Sequence, residues 1–156
     1  MTPEMLIDQW RRGLRISHAA HNEAAKYYQY MNMGLNIPGV VFSTLLSTAL
    51  FTDFLGKPQL AALSVLTVVV TSLQSALRLS ERSERHKSAA VQMGEVRREF
   101  EQQIVFEHRD EAVIERLRKK WDAADRQAPS IPSRIYQREA KKVRDSEAAR
   151  SAATAA

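Results

Sequence analysis

Two long stretches without charge constrain the fold of this chain more than any other feature. Residues 27–52 contain no Asp, Glu, Lys or Arg, and neither do residues 58–77, whereas charged residues crowd the rest of the sequence. Crossing about 30 Å of hydrocarbon takes about 20 helical residues that each rise ~1.5 Å. Both stretches are therefore long enough to span a membrane.

We predict transmembrane helices at 33–55 and 59–77. The segment 56–58 between them contains Gly and Pro, which is typical of a tight turn. The alternative is a pair of buried helices in a soluble bundle, which would need other helices apolar enough to surround them. Because the flanking segments are highly charged, the composition favours the membrane hairpin.

Lysine and arginine set the expected orientation of the hairpin. Basic residues precede the first span and follow the second, whereas the turn region carries only Lys57. Because cytoplasmic flanks are enriched in positive charge, both termini are expected in the cytoplasm. The first apolar run follows an amphipathic segment at 1–32, so no signal peptide is expected.

The flanking segments show helical periodicity. Apolar and small residues recur at steps of three and four within 1–32 and 78–128, which predicts amphipathic cytoplasmic helices. The first stripe comprises Leu6, Trp10, Leu14 (or Gly13), Ser17, His21, Ala24, Tyr28 and Met31, and the second comprises Leu79, Ser83, His86, Ala90, Met93, Val96, Phe100 and Ile104. The two histidines fall at similar depth in the hairpin, where they can hydrogen-bond each other as interior residues or act as a ligand contact or pH sensor.

Helix breakers predict where these helices end. Pro38 predicts a kink or break in the first helix, near the cytoplasmic interface. No Gly or Pro occurs from residue 59, where the second span begins, to Gly94. This absence predicts one long helix over about 59–107. Pro129 and Pro132 are expected to end a third cytoplasmic helix, and 129–156 is predicted to hold a basic helix and a disordered tail. That third helix carries a stripe of Val113, Ile114, Leu117, Trp121 and Ala124.

Composition narrows the classes of function. The chain has 23 Lys and Arg against 18 Asp and Glu, which indicates either a polyanionic partner or basic flanks that orient a membrane protein. The absence of Cys excludes disulfides, thiolate metal sites and a cysteine nucleophile. Four His without a supporting carboxylate spacing argue against a metal site. No Gly-rich phosphate loop or nucleophile elbow is present, so we predict neither a cofactor nor an enzyme.

A polar stripe follows the second predicted span. Polar faces in hydrocarbon turn inward, where they either hydrogen-bond between packed helices or line water. The stripe continues into an arginine, which favours a pore wall made of Ser64, Thr67, Thr71, Gln74 and Arg78. The first span carries further hydroxyls at Ser43, Thr44, Ser47, Thr48 and Thr52.

A single hairpin cannot enclose water, so conduction would require several copies, and a tetramer would supply eight spans. The predicted fold is therefore all-α: a two-transmembrane helical hairpin with long cytoplasmic helical extensions, assembled as a homo-oligomeric bundle.

Basic residues below the predicted pore suggest a ligand. Rings of arginine there would concentrate positive potential and hold an anionic nucleotide or single-stranded oligonucleotide by its phosphates, with tyrosine for stacking. The alternative is that the arginines face lipid headgroups and neighbouring acids while the tyrosines form an interfacial belt. The candidate ligand-binding residues are Arg78, Arg82, Arg85, Arg15, Lys26 and Tyr28.

The order of these motifs resembles the SLATT domain, over about residues 8–132. His21 and Ala24 lie on an amphipathic helix that leads into a Pro-containing span. A hairpin and the segment 80–90 (SERSERHKSAA) follow, and the pattern ends with Trp121 and 129–132 (PSIP). SLATT is a two-transmembrane effector domain associated with nucleotidyltransferase and nucleotide-sensor proteins in prokaryotic conflict systems.

The resemblance implies a pore in the inner membrane, controlled by a nucleotide-derived signal and ending in growth arrest or death of an infected cell. It offers no catalytic residues, and it implies a nucleotidyltransferase-type partner. The function predicted is an anion-preferring channel gated by an anionic nucleotide or oligonucleotide. The alternative is a membrane-anchored scaffold that recruits such a partner without conducting.

Overall fold

The computed structural model describes residues 3–52, 54–105 and 111–155. Over these residues the chain forms five helices and no strand, so the all-α fold class is confirmed. The helices are α1 (Pro3–Thr52), α2 (Lys57–Leu77), α3 (Leu79–Val105), α4 (Glu111–Gln127) and α5 (Ser133–Ala155).

The chain divides into two compact units. The hairpin unit comprises Lys26–Ser83, and the flanking unit comprises Met1–Ala25 together with Glu84–Ala156. The hairpin unit contains both predicted spans, and two helices of the described chain are long and apolar enough to cross a membrane. α1 ends at Thr52 and α2 begins at Lys57. The connection between the two helices therefore begins earlier in the chain than the predicted turn at 56–58. Asp53, which falls within the predicted first span, lies outside the described residues.

Large apolar side chains cover the outside of the hairpin unit. Six of the aliphatic or phenylalanine side chains each expose 60% or more of their surface: Ile37, Val40, Leu50, Phe51, Val65 and Val68. Leaving this much contiguous apolar surface in water is unfavourable, whereas hydrocarbon removes the cost. The outside of the hairpin therefore suits lipid.

Of the kink or break predicted at Pro38, the break does not occur, since α1 continues through this residue to Thr52. Proline has no N–H, so it leaves the carbonyl of Gly34 without its usual helical donor. In the same turn, Gln74 Nε2 donates a hydrogen bond of 2.6 Å to the carbonyl of Leu35. This bond reaches the carbonyl next to the one that Pro38 frees, so it ties α2 to this turn of α1 without replacing the missing donor.

The predicted continuous helix over 59–107 is instead divided at Arg78. This residue has φ 45° and ψ 44°, in the left-handed region, between the end of α2 and the start of α3. A left-handed residue is a common way to end a helix, but the position usually belongs to Gly because a Cβ there costs about 1–2 kcal/mol. The next helix begins at once, because the N–H of Arg82 bonds to the carbonyl of Arg78 at 3.0 Å.

The flanking unit has the core that the stripes predicted. Its buried cluster is joined by the half-buried rings of Trp10 and Trp121, and Trp10 meets Phe100 edge to face with ring centroids 6.3 Å apart. The stripe positions His21, His86 and Ala90 are also buried. The cluster comprises Leu14, Met93, Val96, Phe100, Leu117 and Ala124.

Two glycines allow the helices of the flanking unit to approach closely. A Cβ added at Gly94 on α3 would lie 3.1 Å from the ring of His18 on α1, and one added at Gly13 on α1 would lie 3.2 Å from the ring of Trp121 on α4. Both distances are shorter than ordinary van der Waals contact. Glycine at these two positions therefore sets how near α3 and α4 come to α1.

The C-terminal tail, predicted to be disordered, is helical. α5 extends from Ser133 to Ala155, and its last turns are rich in Ala, the strongest helix former. Glu147 anchors it to α1 through Arg12 at 2.7 Å and Arg15 at 3.3 Å. The composition of the tail suggested disorder, but tertiary contacts and helix propensity together hold it in place.

Candidate functional site

Packing within the hairpin unit partly buries some residues of the predicted pore stripe and leaves others exposed. Ser64, Thr67 and Gln74 are half-buried, whereas Thr71 and Arg78 are exposed. The hydroxyls of the stripe donate to carbonyls of their own helix: Ser64 to Leu60, Thr67 to Leu63 and Thr71 to Thr67, at 2.8–2.9 Å. Their protons are thus satisfied within α2, and their oxygens keep acceptor capacity.

Gln74 is the member of the stripe that reaches across the hairpin. Besides its bond to the carbonyl of Leu35, its amide nitrogen would lie 3.0 Å from a Cβ at Gly39, so Gly39 makes room for it. In the single chain this amide joins α2 to α1 at the turn that precedes Pro38. Gln74 therefore has a structural role whatever else it contacts.

The first span carries a longer exposed line of hydroxyls than the second. Thr44, Thr48 and Thr52 follow one another at steps of four, and each donates to the carbonyl four residues earlier at 2.9–3.0 Å. Ser43 and Ser47 form a parallel pair and do the same. All five residues are exposed on the hairpin unit. The sequence shows these hydroxyls, but only the packing of the hairpin shows that they face away from α2.

Four of the candidate ligand-binding residues lie in the hairpin unit. The Arg78 side chain is 74% exposed and lies 3.7 Å from Glu81. Arg82 and Lys26 are exposed, and the Tyr28 ring meets Tyr27 edge to face at 5.5 Å. The basic character predicted for the end of the second span is therefore at the surface of this unit.

The other two candidates lie in the flanking unit and differ from each other. Arg85 is exposed, but only 17% of the Arg15 side chain is, because it is held against Glu147 at 3.3 Å. A carboxylate at this distance offsets the positive charge that an anionic ligand would meet. Arg15 is thus first of all an anchor for α5.

The two histidines predicted to meet do so in the interior of the flanking unit. The Nδ1 atoms of His21 and His86 are 3.0 Å apart, and both residues are only 2% exposed. One nitrogen must donate and the other accept, so the contact requires uncharged rings or a single shared proton. Burial, followed by the proximity of His86 and His18, lowers the pKa of His21 to about 4. Burial also lowers the pKa of His86.

A cavity of about 500 Å³ lies beside His21, and sequence analysis missed it. Its walls come from α1, the end of α4, the connection after it and the first turns of α5. The lining residues are His21, Asp125, Ala128, Pro129, Ser130, Ile131, Ser133, Tyr136 and Gln137. The available signal was the pair of prolines, which hold a short rigid connection, but nothing in the sequence placed that connection next to His21.

The family model of the SMODS and SLOG-associating 2TM effector domain, family 4, matches residues 4–153. The chain belongs to this family. The resemblance to the SLATT domain is thereby confirmed over nearly the whole chain. No curated protein and no solved structure matches it.

The family and the two apolar helices together establish the coarse role of this SLATT chain. It is a two-transmembrane membrane protein and an effector of the conflict systems in which such domains occur. Over the described residues, no group of three or more His, Asp or Glu is placed to hold a metal ion.

Proposed function

We propose that this SLATT chain is an oligomeric, anion-preferring channel of the inner membrane, with both termini in the cytoplasm. An anionic nucleotide or single-stranded oligonucleotide gates it, and opening arrests or kills the infected cell. A nucleotidyltransferase-type partner would make the signal. The family supplies the role of membrane effector, and the proposal adds the physical action by which that effector works.

The exposed polar line on an otherwise apolar hairpin carries this proposal. Hydroxyls at Thr44, Thr48 and Thr71 are exposed among side chains such as Val40 and Val69, which suit lipid. Since their protons are bonded within their own helices, their oxygens can accept hydrogen bonds from water. Several copies, with a tetramer as the simplest, would bring such lines together around water.

Arginine at the end of α2 supplies the proposed selectivity and the ligand site. Arg78 and Arg82 are exposed where the apolar stretch ends, and symmetry would repeat them around a ring. Rings of positive charge favour anions and bind phosphates. Ser64 and Thr67 complete the proposed wall, while Gln74 holds the hairpin together.

Cysteine accessibility tests the proposed wall, and the chain has no native Cys to interfere. Thr71→Cys and Thr48→Cys should react with a water-soluble, charged thiol reagent in the assembled protein, and the reaction should block conductance in planar bilayers. Val69→Cys is the matched control because it is 56% exposed on the same helix as Thr71 and should face lipid. Equal, slow labelling at all three positions would reject the channel.

Replacement of the three arginines tests the ligand site. Arg78→Gln, Arg82→Gln and Arg85→Gln together should weaken binding of single-stranded DNA oligomers and reduce the slope of log affinity against log salt by about 2, since each phosphate contact contributes about 0.7. A triple variant of the exposed α4 residues Arg116, Arg118 and Lys119 removes the same charge elsewhere and should leave the slope unchanged. Equal effects of both triple variants would contradict the assignment.

A membrane-anchored scaffold is the second candidate function. The flanking unit has its own core and an exposed basic face on α5, with Arg134, Lys141 and Arg144, which can recruit a soluble partner without any pore. Stoichiometry in detergent separates the two functions. A closed ring supports the channel, whereas a monomer or dimer that does not conduct supports the scaffold.

A further inference from the structure

The cavity beside His21 contains none of the arginines of the proposed gating site. We propose that it is a binding site for a neutral planar heterocycle with a hydrogen-bonding edge, of the nucleobase or nucleoside class. The inference goes beyond the proposed function, because the site lies wholly within the flanking unit and does not depend on conduction.

Size is the first argument for a ligand of this class. The cavity has a volume of about 500 Å³, which falls within the range of small-molecule sites, about 300–1,000 Å³, and accommodates a nucleoside. Apolar walls are provided by Ala128, Pro129 and Ile131, and they belong to the rigid connection between α4 and α5. Pro129 borders this space, which is open to solvent on one side.

Ring chemistry is the second argument. Tyr136 on α5 and His21 on α1 both line the cavity, so two flat side chains are available to a flat ligand. Stacking of a base on an aromatic side chain is worth about 1–3 kcal/mol. Tyr136 is exposed enough, at 41%, for its ring to be reached by a ligand.

Polar groups give the ligand an edge to bind. Asp125, Gln137 and Ser130 supply a carboxylate, an amide and a hydroxyl around the same space, which can both accept and donate hydrogen bonds. A nucleobase carries donors and acceptors side by side on one edge, and proteins recognise unpaired bases through such edges. His21 uses Nδ1 for His86, which leaves Nε2 of this buried ring for a ligand.

Charge selects a neutral ligand over an anion or a cation. No Lys or Arg is among the described residues that line the cavity, so it offers no side chain that would bind phosphate as an ion pair. Its one carboxylate, Asp125, is opposed by the positive end of the α5 helix dipole, whose first turn begins at Ser133 and also lines the cavity. The positive end of that dipole would repel a compact cation, and the carboxylate of Asp125 would repel a phosphate.

Nucleoside titration of the full-length protein in detergent tests the inference. Adenosine, guanosine, cytidine and uridine are titrated separately and followed by saturation-transfer NMR and calorimetry. At least one should bind with a dissociation constant at or below about 1 mM. Its 5′-monophosphate should bind no more tightly than the nucleoside itself.

Two variants locate the site, and two matched variants control for surface effects. Tyr136→Ala and Asp125→Asn should each weaken binding about tenfold or more. Tyr30→Ala removes an exposed tyrosine of the hairpin unit, and Asp122→Asn removes an exposed carboxylate one turn earlier on α4, so both should bind as the unchanged protein does. Asp125→Asn keeps the shape of the residue, so it remains informative if Tyr136→Ala fails to fold.

Several results would overturn the inference. These are the absence of binding by all four nucleosides, equal affinity in the site variants and the controls, a tenfold gain from the phosphate, or binding of spermidine or tetramethylammonium in place of nucleosides. The channel proposal fails on different measurements, conductance and the salt slope of oligonucleotide binding, so the two can be rejected independently.

Discussion

At the scale of single residues, the buried histidine pair has the clearest physical consequence. His21 and His86 share one hydrogen bond of 3.0 Å in the interior of the flanking unit, and they join α1 to α3 there. His18, on the same helix as His21, lies against Gly94, and its pKa is lowered by burial and by the charges of Arg97 and Arg98. The pKa values of His18, His21 and His86 are thus all lowered, which favours the uncharged rings.

The pair predicts that the protein loses stability in acid. In the unfolded chain a histidine takes up a proton near pH 6.5, whereas folded His21 does so only at about 4. Between these values the unfolded state binds more protons, so stability is full above about 6.5 and falls as the pH decreases towards 4. The loss is on the order of 2–3 kcal/mol, measurable as a falling midpoint of thermal unfolding in detergent.

A double replacement provides the control for this pH dependence. His21→Leu together with His86→Leu removes both buried polar groups, so the midpoint should vary less between pH 6.5 and 4 than in the unchanged protein. His86→Leu alone should destabilise at neutral pH, by about 1–3 kcal/mol, because it leaves a buried nitrogen of His21 without its partner. An unchanged pH dependence in the double variant would show that other groups cause it.

At the scale of elements, the junction between α2 and α3 is the unusual feature. Arg78 adopts a left-handed conformation that a side chain disfavours, and it does so with neither Gly nor Pro nearby to divide the helix. Strained backbone persists where surrounding structure enforces it, often at functional sites. The same residue ends the polar stripe of α2, so the helix break and the proposed ring of arginines coincide.

Substitution by glycine tests the break directly. Arg78→Gly should preserve or raise the midpoint of thermal unfolding, because glycine adopts this conformation without the cost of a Cβ. Arg82→Gly, four residues later and inside α3, should instead destabilise by about 1 kcal/mol, the usual cost of glycine within a helix. Arg78→Ala removes the charge but keeps the Cβ, so its comparison with Arg78→Gly separates the effect of the charge from the effect of the Cβ. Equal destabilisation by both glycine variants would mean that residue 78 is helical.

At the scale of the whole molecule, contacts between distant parts of the chain complete the flanking unit. Glu147 on α5 reaches Arg12 and Arg15 on α1, and Arg138 on α5 reaches Glu23 on α1 at 3.2 Å. α5 therefore docks along α1 through ion pairs at two places about two to three turns apart. The first turns of α5 also form one wall of the cavity beside His21.

The docking of α5 on α1 predicts that replacing Glu147 affects the last turns of α5 more than the stability of the whole protein. Glu147→Gln should cost no more than about 1 kcal/mol, because partly exposed ion pairs contribute little individually. It should nevertheless increase amide hydrogen exchange in the last turns of α5, which that residue anchors. Glu84→Gln, on an exposed residue that pairs locally with Lys87 at 3.8 Å, is the control and should leave exchange in α5 unchanged. Unchanged exchange in Glu147→Gln would show that helix propensity alone holds the tail.

Much of the fold could be predicted because it is encoded locally. Charge-free stretches and steps of three and four residues are properties of short segments, and they correctly predicted the two apolar helices, the buried faces of α1 and α3 and the meeting of the two histidines. The stripe from Val113 to Ala124 likewise predicted α4. The site residues of the proposed pore and ligand remain predictions, because they depend on how copies assemble.

Only the tertiary structure decided the rest, because it depends on contacts between residues far apart in the chain. α1 continues through Pro38 beside an amide of α2, and the tail is helical with an acid that meets α1. The cavity forms only where the connection after α4 lies against His21. The sequence by itself determined which faces are apolar and which segments can enter a membrane. Helix docking decided that Gln74 meets the carbonyl of Leu35 and that Glu147 meets Arg12, since residues far apart in the chain have no common local pattern.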